Sequence, residues 1–196
     1  MAKYDLAITN GAVVIPNYGT QHCDIGIRDG HIAVISDSID SIEADQVINA
    51  KNQVVFPGAV DSHFHLGIYN PLEEDVRNET AAALVGGVTT VISYFRTGQN
   101  YLNKTGPYRE IFPEVLEATS GNSATDFGYH IAIMTEEQLG EVDWLIDQQG
   151  VSSFKIYMFY MGLNLAGDST HANDYILSQN YDMGHMYLLM SQVAQA

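Results

Sequence analysis

The chain has 196 residues, room for one domain with a real core or two small ones, and its composition, 46% hydrophobic and 16% charged, is that of a folded globular protein. Aspartate and glutamate outnumber lysine and arginine 24 to 8, a formal net charge of −16, and a surface that negative repels phosphate backbones and anionic lipid, which argues against nucleic-acid and membrane partners. The single cysteine, Cys23, excludes an internal disulfide; with no signal-peptide stretch at the start and no run of eighteen apolar residues, the expected compartment is the cytoplasm.

Residues 4–55 read as short strands. Tyr4-Asp5-Leu6-Ala7-Ile8 alternates, and Asn10-Gly11 ahead of Val13-Val14-Ile15 predicts a two-residue hairpin turn. The same device recurs at Ile25-Gly26-Ile27-Arg28, turning at Asp29-Gly30 into Ile32-Ala33-Val34-Ile35. Residues 1–55 therefore form a small all-β unit, and residues 56–196 a second region of different character.

The run 54–61 predicts a buried strand ending in Ser62-His63-Phe64-His65. Asn70-Pro71-Leu72-Glu73 predicts a helix start, with Asn70 as N-cap, Pro71 at the first position and Glu73 closing a capping box; Gly86-Gly87 predicts its end. Val88-Thr89-Thr90-Val91-Ile92-Ser93-Tyr94-Phe95 is a β-branched strand. A helix follows over 108–119, then a strand over 127–134. Thr135-Glu136-Glu137-Gln138 is a second capping box, opening a helix that carries Leu139, Val142, Leu145 and Ile146. A fourth strand is predicted over 154–159 and a last helix over 183–193. Four strands alternating with four helices imply parallel βα units, hence a doubly wound sheet or a (β/α) barrel. An eight-stranded barrel needs about 250 residues, so four units are half of one. The apolar helix pattern Met186-Tyr187-Leu188-Leu189-Met190 runs to the end without a cap, and the C-terminus is expected to be a truncation.

Two sets of residues carry chemistry. In a strand, residues i and i+2 share a face, so His63 and His65 project together at the end of the first strand of the βα region, where barrel enzymes place their active sites. Two neutral imidazoles one pleat apart suit a Zn-type ion. Asp61 shares their alternation and is a candidate for orienting an imidazole. Against this stands chance, because a chain with seven histidines contains a His-x-His pair fairly often. Lys155 lies mid-strand between Phe154 and Ile156; a desolvated lysine amine loses its proton readily and then takes up carbon dioxide to become an anionic oxygen ligand. The alternative is a strand-end lysine snorkelling to water or paired with a carboxylate.

Three ordered segments, Pro57-Gly58-Ala59-Val60-Asp61-Ser62-His63-Phe64-His65, Ala81-Ala82-Ala83-Leu84-Val85-Gly86-Gly87-Val88-Thr89-Thr90 and Ser153-Phe154-Lys155-Ile156-Tyr157-Met158, resemble the cyclic amidohydrolase family of dihydropyrimidinases, hydantoinases, allantoinases and dihydroorotases. The resemblance implies an α/β fold, the first half of a (β/α)8 TIM-type barrel preceded by a small β-sandwich segment. It also implies two divalent metal ions, expected to be Zn, with His63 and His65 as ligands of one and Lys155, carboxylated by carbon dioxide, bridging both. Tyr160 matches a tyrosine that hydrogen-bonds the substrate carbonyl as charge develops. Two further histidines and a catalytic aspartate are expected from strands beyond the fourth. The implied reaction is hydrolysis of a cyclic amide, a hydantoin or dihydropyrimidine, to an N-carbamoyl amino acid, in a full-length form expected to be a homo-oligomer. Dihydroorotases carry an arginine two residues after the second histidine; Gly67 stands there, with Glu73, Glu74 and Asp75 nearby, so a neutral substrate is expected.

Two alternatives stay open: a non-catalytic barrel relative acting as a scaffold, and an inactive fragment of such an enzyme. His22 and His31 read as surface residues, His130 as a satisfied core histidine, and His171 and His185 as non-ligands. Tyr69, Tyr94, Phe95 and Arg96 read as βα-loop residues that line a pocket at most.

Overall fold

A computed structural model describes residues 2–98, 101–157 and 182–196. Contacts divide the chain into two compact units, Met1–Gly58 and Ala59–Ala196.

The first unit is a five-stranded mixed sheet. Strands β1 (Tyr4–Ile15), β2 (Gly19–Arg28), β3 (His31–Ser36) and β4 (Ala44–Asn49) lie in the order β3-β2-β1-β4, and β5 (Val54–Val55) also pairs with β1. The turn at Asp29-Gly30 forms as expected, with φ of 51° and 74° at the two residues and Arg28 opposite His31. The turn expected at Asn10-Gly11 does not form: β1 runs straight through it as one twelve-residue strand with a bulge between Ile8 and Gly11. Asn10 takes the left-handed conformation (φ 61°) there, and its N–H donates to the buried carboxylate of Asp24 at 2.8 Å. Gly11 serves close approach, since a Cβ on it would lie 2.8 Å from a methyl of Val55. The chain reverses instead at residues 16–18, where Asn17 has φ 68° and Ile15 pairs with Gly19.

The second unit winds in βα steps: β6 (Ala59–Phe64), α1 (Leu72–Val85), β7 (Val88–Phe95), α2 (Tyr108–Ser120), β8 (Asp126–Ala132), α3 (Glu136–Leu139), α4 (Val142–Gln149), β9 (Phe154–Lys155) and α5 (Met183–Val193). Its four strands are all parallel and lie in chain order, β6-β7-β8-β9. A doubly wound sheet reverses its strand order at a switch point; this one does not, and the winding is that of a half-barrel.

Strand parity builds the core. Phe95, Tyr129, Ile131 and Ile133 pack with Tyr108, Ile111, Phe112, Val115 and Leu145 of the helices in one apolar cluster. Each such side chain taken from water contributes about 1.5–3 kcal/mol. Polar pins fix the helices against it. The buried carboxylate of Glu141 accepts from the N–H groups of Tyr108 (2.6 Å) and Arg109 (2.9 Å), capping α2 from 33 and 32 residues away. Gln138, fully buried, accepts from the N–H of Met134 and donates to Thr97 Oγ1 and the carbonyl of Gly106.

Several local expectations need correction. The run 54–61 is not one buried strand but the end of the first sheet and the start of the second; Val54 and Val60 are 55% and 60% exposed. The cause lies in position, because β6 pairs only with β7 among the described residues and forms a sheet edge. Helix α1 starts with Pro71 as N-cap and no side-chain cap; the amide of Asn70 donates to Asp75, whose other oxygen takes the N–H of Gly67. The helix opened by Thr135 breaks at Gly140-Glu141 into α3 and α4, which frees Glu141 to cap α2. The Gly86-Gly87 stop, strand β7, and helices α2 and α5 form where the periodicity places them.

Candidate metal centre

The site begins with an irregularity in β6. Asp61 pairs with Val91 and Phe64 with Ser93, which leaves two residues of β6 against one of β7, so a bulge lies between them. Phe64 packs against the helix-side core. His63 and His65, its neighbours, project from the opposite face with rings 5.4 Å apart at 62°.

Beneath them lies Tyr94, buried on β7. Its ring is 4.7 Å from that of His63, 4.9 Å from that of His65 and 5.2 Å from that of His130, the residue opposite it on β8. The phenol oxygen is 2.7 Å from His63 Nδ1. Lys155 on β9 arrives from the far side, with Nζ 4.2 Å from the centre of the Tyr94 ring and 5.4 Å from that of Tyr157. Cation–π attraction holds an ammonium in such a place. The end of β6 thus delivers two imidazoles, and β9 one amine, to a single aromatic floor carried by β7.

Electrostatics sets the state of one imidazole. Partial desolvation, and then the neighbouring His63 and Lys155, hold His65 below the ordinary imidazole value of 6.5. At neutral pH its ring is uncharged, the form that ligates metals.

Of the residues singled out in the sequence, His63, His65 and Lys155 come together. The carboxylate of Asp61 meets His63 at the main chain, accepting its N–H at 3.0 Å, while the ring nitrogen goes to Tyr94. Tyr160 lies outside the described residues, as does His171. His130 has both nitrogens engaged, Nδ1 with Ser153 Oγ (2.5 Å) and Nε2 with the carbonyl of Ser62 (3.0 Å), as a satisfied histidine does. His185 is buried with Nε2 on the carbonyl of Ile133, and His22 and His31 are exposed. Tyr94, expected on a βα loop, lies on β7 instead. The usable signal is parity: Ile92 and Tyr94 alternate with the buried Val91, Ser93 and Phe95, so Tyr94 points away from the helices with His130 as its partner. Phe95 and Arg96 are buried too, whereas Tyr69 is 90% exposed.

The donor set suits a metal in part. Two imidazole nitrogens are half of a four-coordinate Zn-type shell, and an amine becomes an oxygen donor only after carboxylation. Among the described residues no three His, Cys, Asp or Glu side chains are grouped to hold an ion.

Singly wound parallel βα units with paired imidazoles at the end of the first strand define a class, the (β/α)-barrel proteins that work at the C-terminal rim of their strands. No family model matches the chain. It is 33% identical over 168 residues to the D-hydantoinase of Geobacillus stearothermophilus, a match covering 83% of this chain and 34% of that protein. It is 31% identical over 180 residues to the allantoinase of Bacillus licheniformis, covering 89% and 38%. A D-hydantoinase crystal structure superposes with a TM-score of 0.74 at 26% identity, covering 96% of this chain and 37% of that one. The chain is a homologue of these cyclic amidohydrolases, and it spans about a third of the length of the curated relatives it matches.

Proposed function

We propose that this chain supplies the first half of the metal centre of a hydrolase that opens a neutral cyclic amide, of the hydantoin or dihydropyrimidine type, to an N-carbamoyl amino acid. The observation that carries the reading is the meeting of His63, His65 and Lys155 over Tyr94. His63 and His65 would hold one ion, and Lys155 as its carbamate would hold that ion and a second. Two such ions, when bound, supply a water acidic enough to act as nucleophile at neutral pH and polarise the ring carbonyl. Tyr160 would donate its phenol proton to the carbonyl oxygen as negative charge builds there. A carbon–oxygen bond forms, the ring carbon–nitrogen bond breaks, and the nitrogen leaves with a proton from a general acid. The remaining ligands and that acid would come from residues other than these.

The negative formal charge of the chain and the exposed carboxylates Glu73 and Glu74 in the first turn of α1 favour a neutral ring over an anionic one. A homo-oligomer in the cytoplasm remains the expected state. No described helix is long and apolar enough to cross a membrane.

The test is metal analysis with hydantoin and dihydrouracil turnover on the gene product that contains this chain. The expected result is bound divalent metal and ring opening, both lost in Lys155→Ala. A metal-free wild type without turnover removes the reading. Partner binding that survives Lys155→Ala, with no turnover in either protein, favours a scaffold.

A further inference from the structure

We propose that Tyr94 is the positioning residue of this centre, its hydroxyl holding His63 in the tautomer that leaves Nε2 free for a cation. The inference rests on the metal reading above and deepens it. A neutral imidazole carries one proton, on Nδ1 or on Nε2, and the nitrogen without it is the donor to metal. The Tyr94 oxygen lies 2.7 Å from Nδ1 of His63. With the proton on Nδ1, His63 donates to the phenol oxygen and the Nε2 lone pair is open. With the phenol donating instead, the proton sits on Nε2 and closes it.

The setting makes this contact stiff. Tyr94 is 6% exposed, and its ring is wedged between the imidazoles of His65 and His130 with the Lys155 amine over it. His130 is itself tied at both nitrogens, to Ser153 and Ser62. The phenol therefore cannot follow a drifting imidazole; the imidazole must settle on the phenol. Hydrogen-bond partners on the non-ligating nitrogen fix the orientation and tautomer of metal-bound histidines. Asp61, the residue whose chemistry suits that role best, spends its carboxylate on the main-chain N–H of His63. Tyr94 stands where the carboxylate does not.

The test compares wild type, Tyr94→Phe and His63→Ala by Zn²⁺ titration against a chromophoric chelator and by ¹⁵N NMR of the histidine side chains. Tyr94→Phe keeps the ring that packs against His65, His130 and Lys155 and deletes only the oxygen. The expected result is Zn²⁺ affinity lowered about 10- to 100-fold, with an unchanged melting temperature. The His63 Nδ1–H signal, present in wild type, is expected to vanish from the variant. Unchanged affinity in Tyr94→Phe overturns the proposal while leaving the metal reading intact, because wild type still binds and His63→Ala does not. A wild type that takes up no Zn²⁺ removes the metal reading and the proposal together. If Tyr94→Phe melts early, the wild-type spectrum decides alone: His63 found with its proton on Nε2 overturns the assignment.

Discussion

On the helix side of the β6–β9 sheet, Phe95 and Ile131 are at most 1% exposed and pack in one apolar cluster with residues of α2 and α4. One residue along the same strands the side chains turn over. There Tyr94 meets His130, the Lys155 amine and the two exposed imidazoles at the end of β6. The period of two in a strand makes the division possible, since neighbours in sequence never compete for the same environment. One face can be filled to close packing while the other keeps open a set of hydrogen-bonding nitrogens. Substitutions on the two faces should therefore differ in kind, stability failing on one and chemistry on the other.

The sharpest attack on that division is Phe95→Ala. It empties a fully enclosed site bordered by Tyr108, Phe112 and Tyr129, and a loss of about 3–5 kcal/mol in urea unfolding is expected. A loss below 1 kcal/mol would mean that the helix face is not the stabilising one.

Next comes alkaline pH. Burial pushes the Tyr129 hydroxyl up to about 12, against 10 for an exposed tyrosine, although its hydrogen bond with Thr119 pulls the other way. The folded state keeps that proton after the unfolded state has lost it. The associated stability is thus complete below pH 10 and disappears as pH rises toward about 12. Its size is roughly 2–3 kcal/mol from the two-unit difference. Tyr129→Phe, which cannot ionise, is expected to flatten the alkaline fall in melting temperature. Glu141→Ala follows, leaving the first two N–H groups of α2 without their carboxylate at a cost of about 1–2 kcal/mol.

These residues also mark what the sequence carries and what it hides. Strand β7, helix α2 and the Gly86-Gly87 stop were legible because their determinants are local: β-branching, helical periodicity, a glycine at φ 90°. His63 and His65 were legible because i and i+2 share a face wherever the strand lies. Asp61 was legible only as a neighbour of His63: the bulge at residues 62–63 interrupts the alternation, and the contact formed is from the main-chain N–H of His63 to the Asp61 carboxylate. Asn10-Gly11 carries a strong local turn signal that loses to pairing, as β2 and β5 hold β1 extended on both sides of it. Glu141 as a cap and Tyr94 as a floor depend on contacts more than thirty residues apart in sequence, and no local pattern announces such partners.

The smallest expected effect on stability belongs to the other face. His63 is exposed, its ring makes one hydrogen bond, and its removal leaves the hydroxyl of Tyr94 beside newly opened solvent rather than stranded in a dry core. An exposed substitution of this kind falls within about 0.5 kcal/mol of wild type. His63→Ala should accordingly unfold at the wild-type urea midpoint while losing its Zn²⁺. The pairing of results is what counts: a variant that loses metal and stability together would mean that the imidazole is part of the scaffold. One that loses metal alone places the two functions on opposite faces of the same strands. Measuring His63→Ala beside Phe95→Ala, in one buffer and by one denaturant, sets the smallest effect against the largest and tests the division directly.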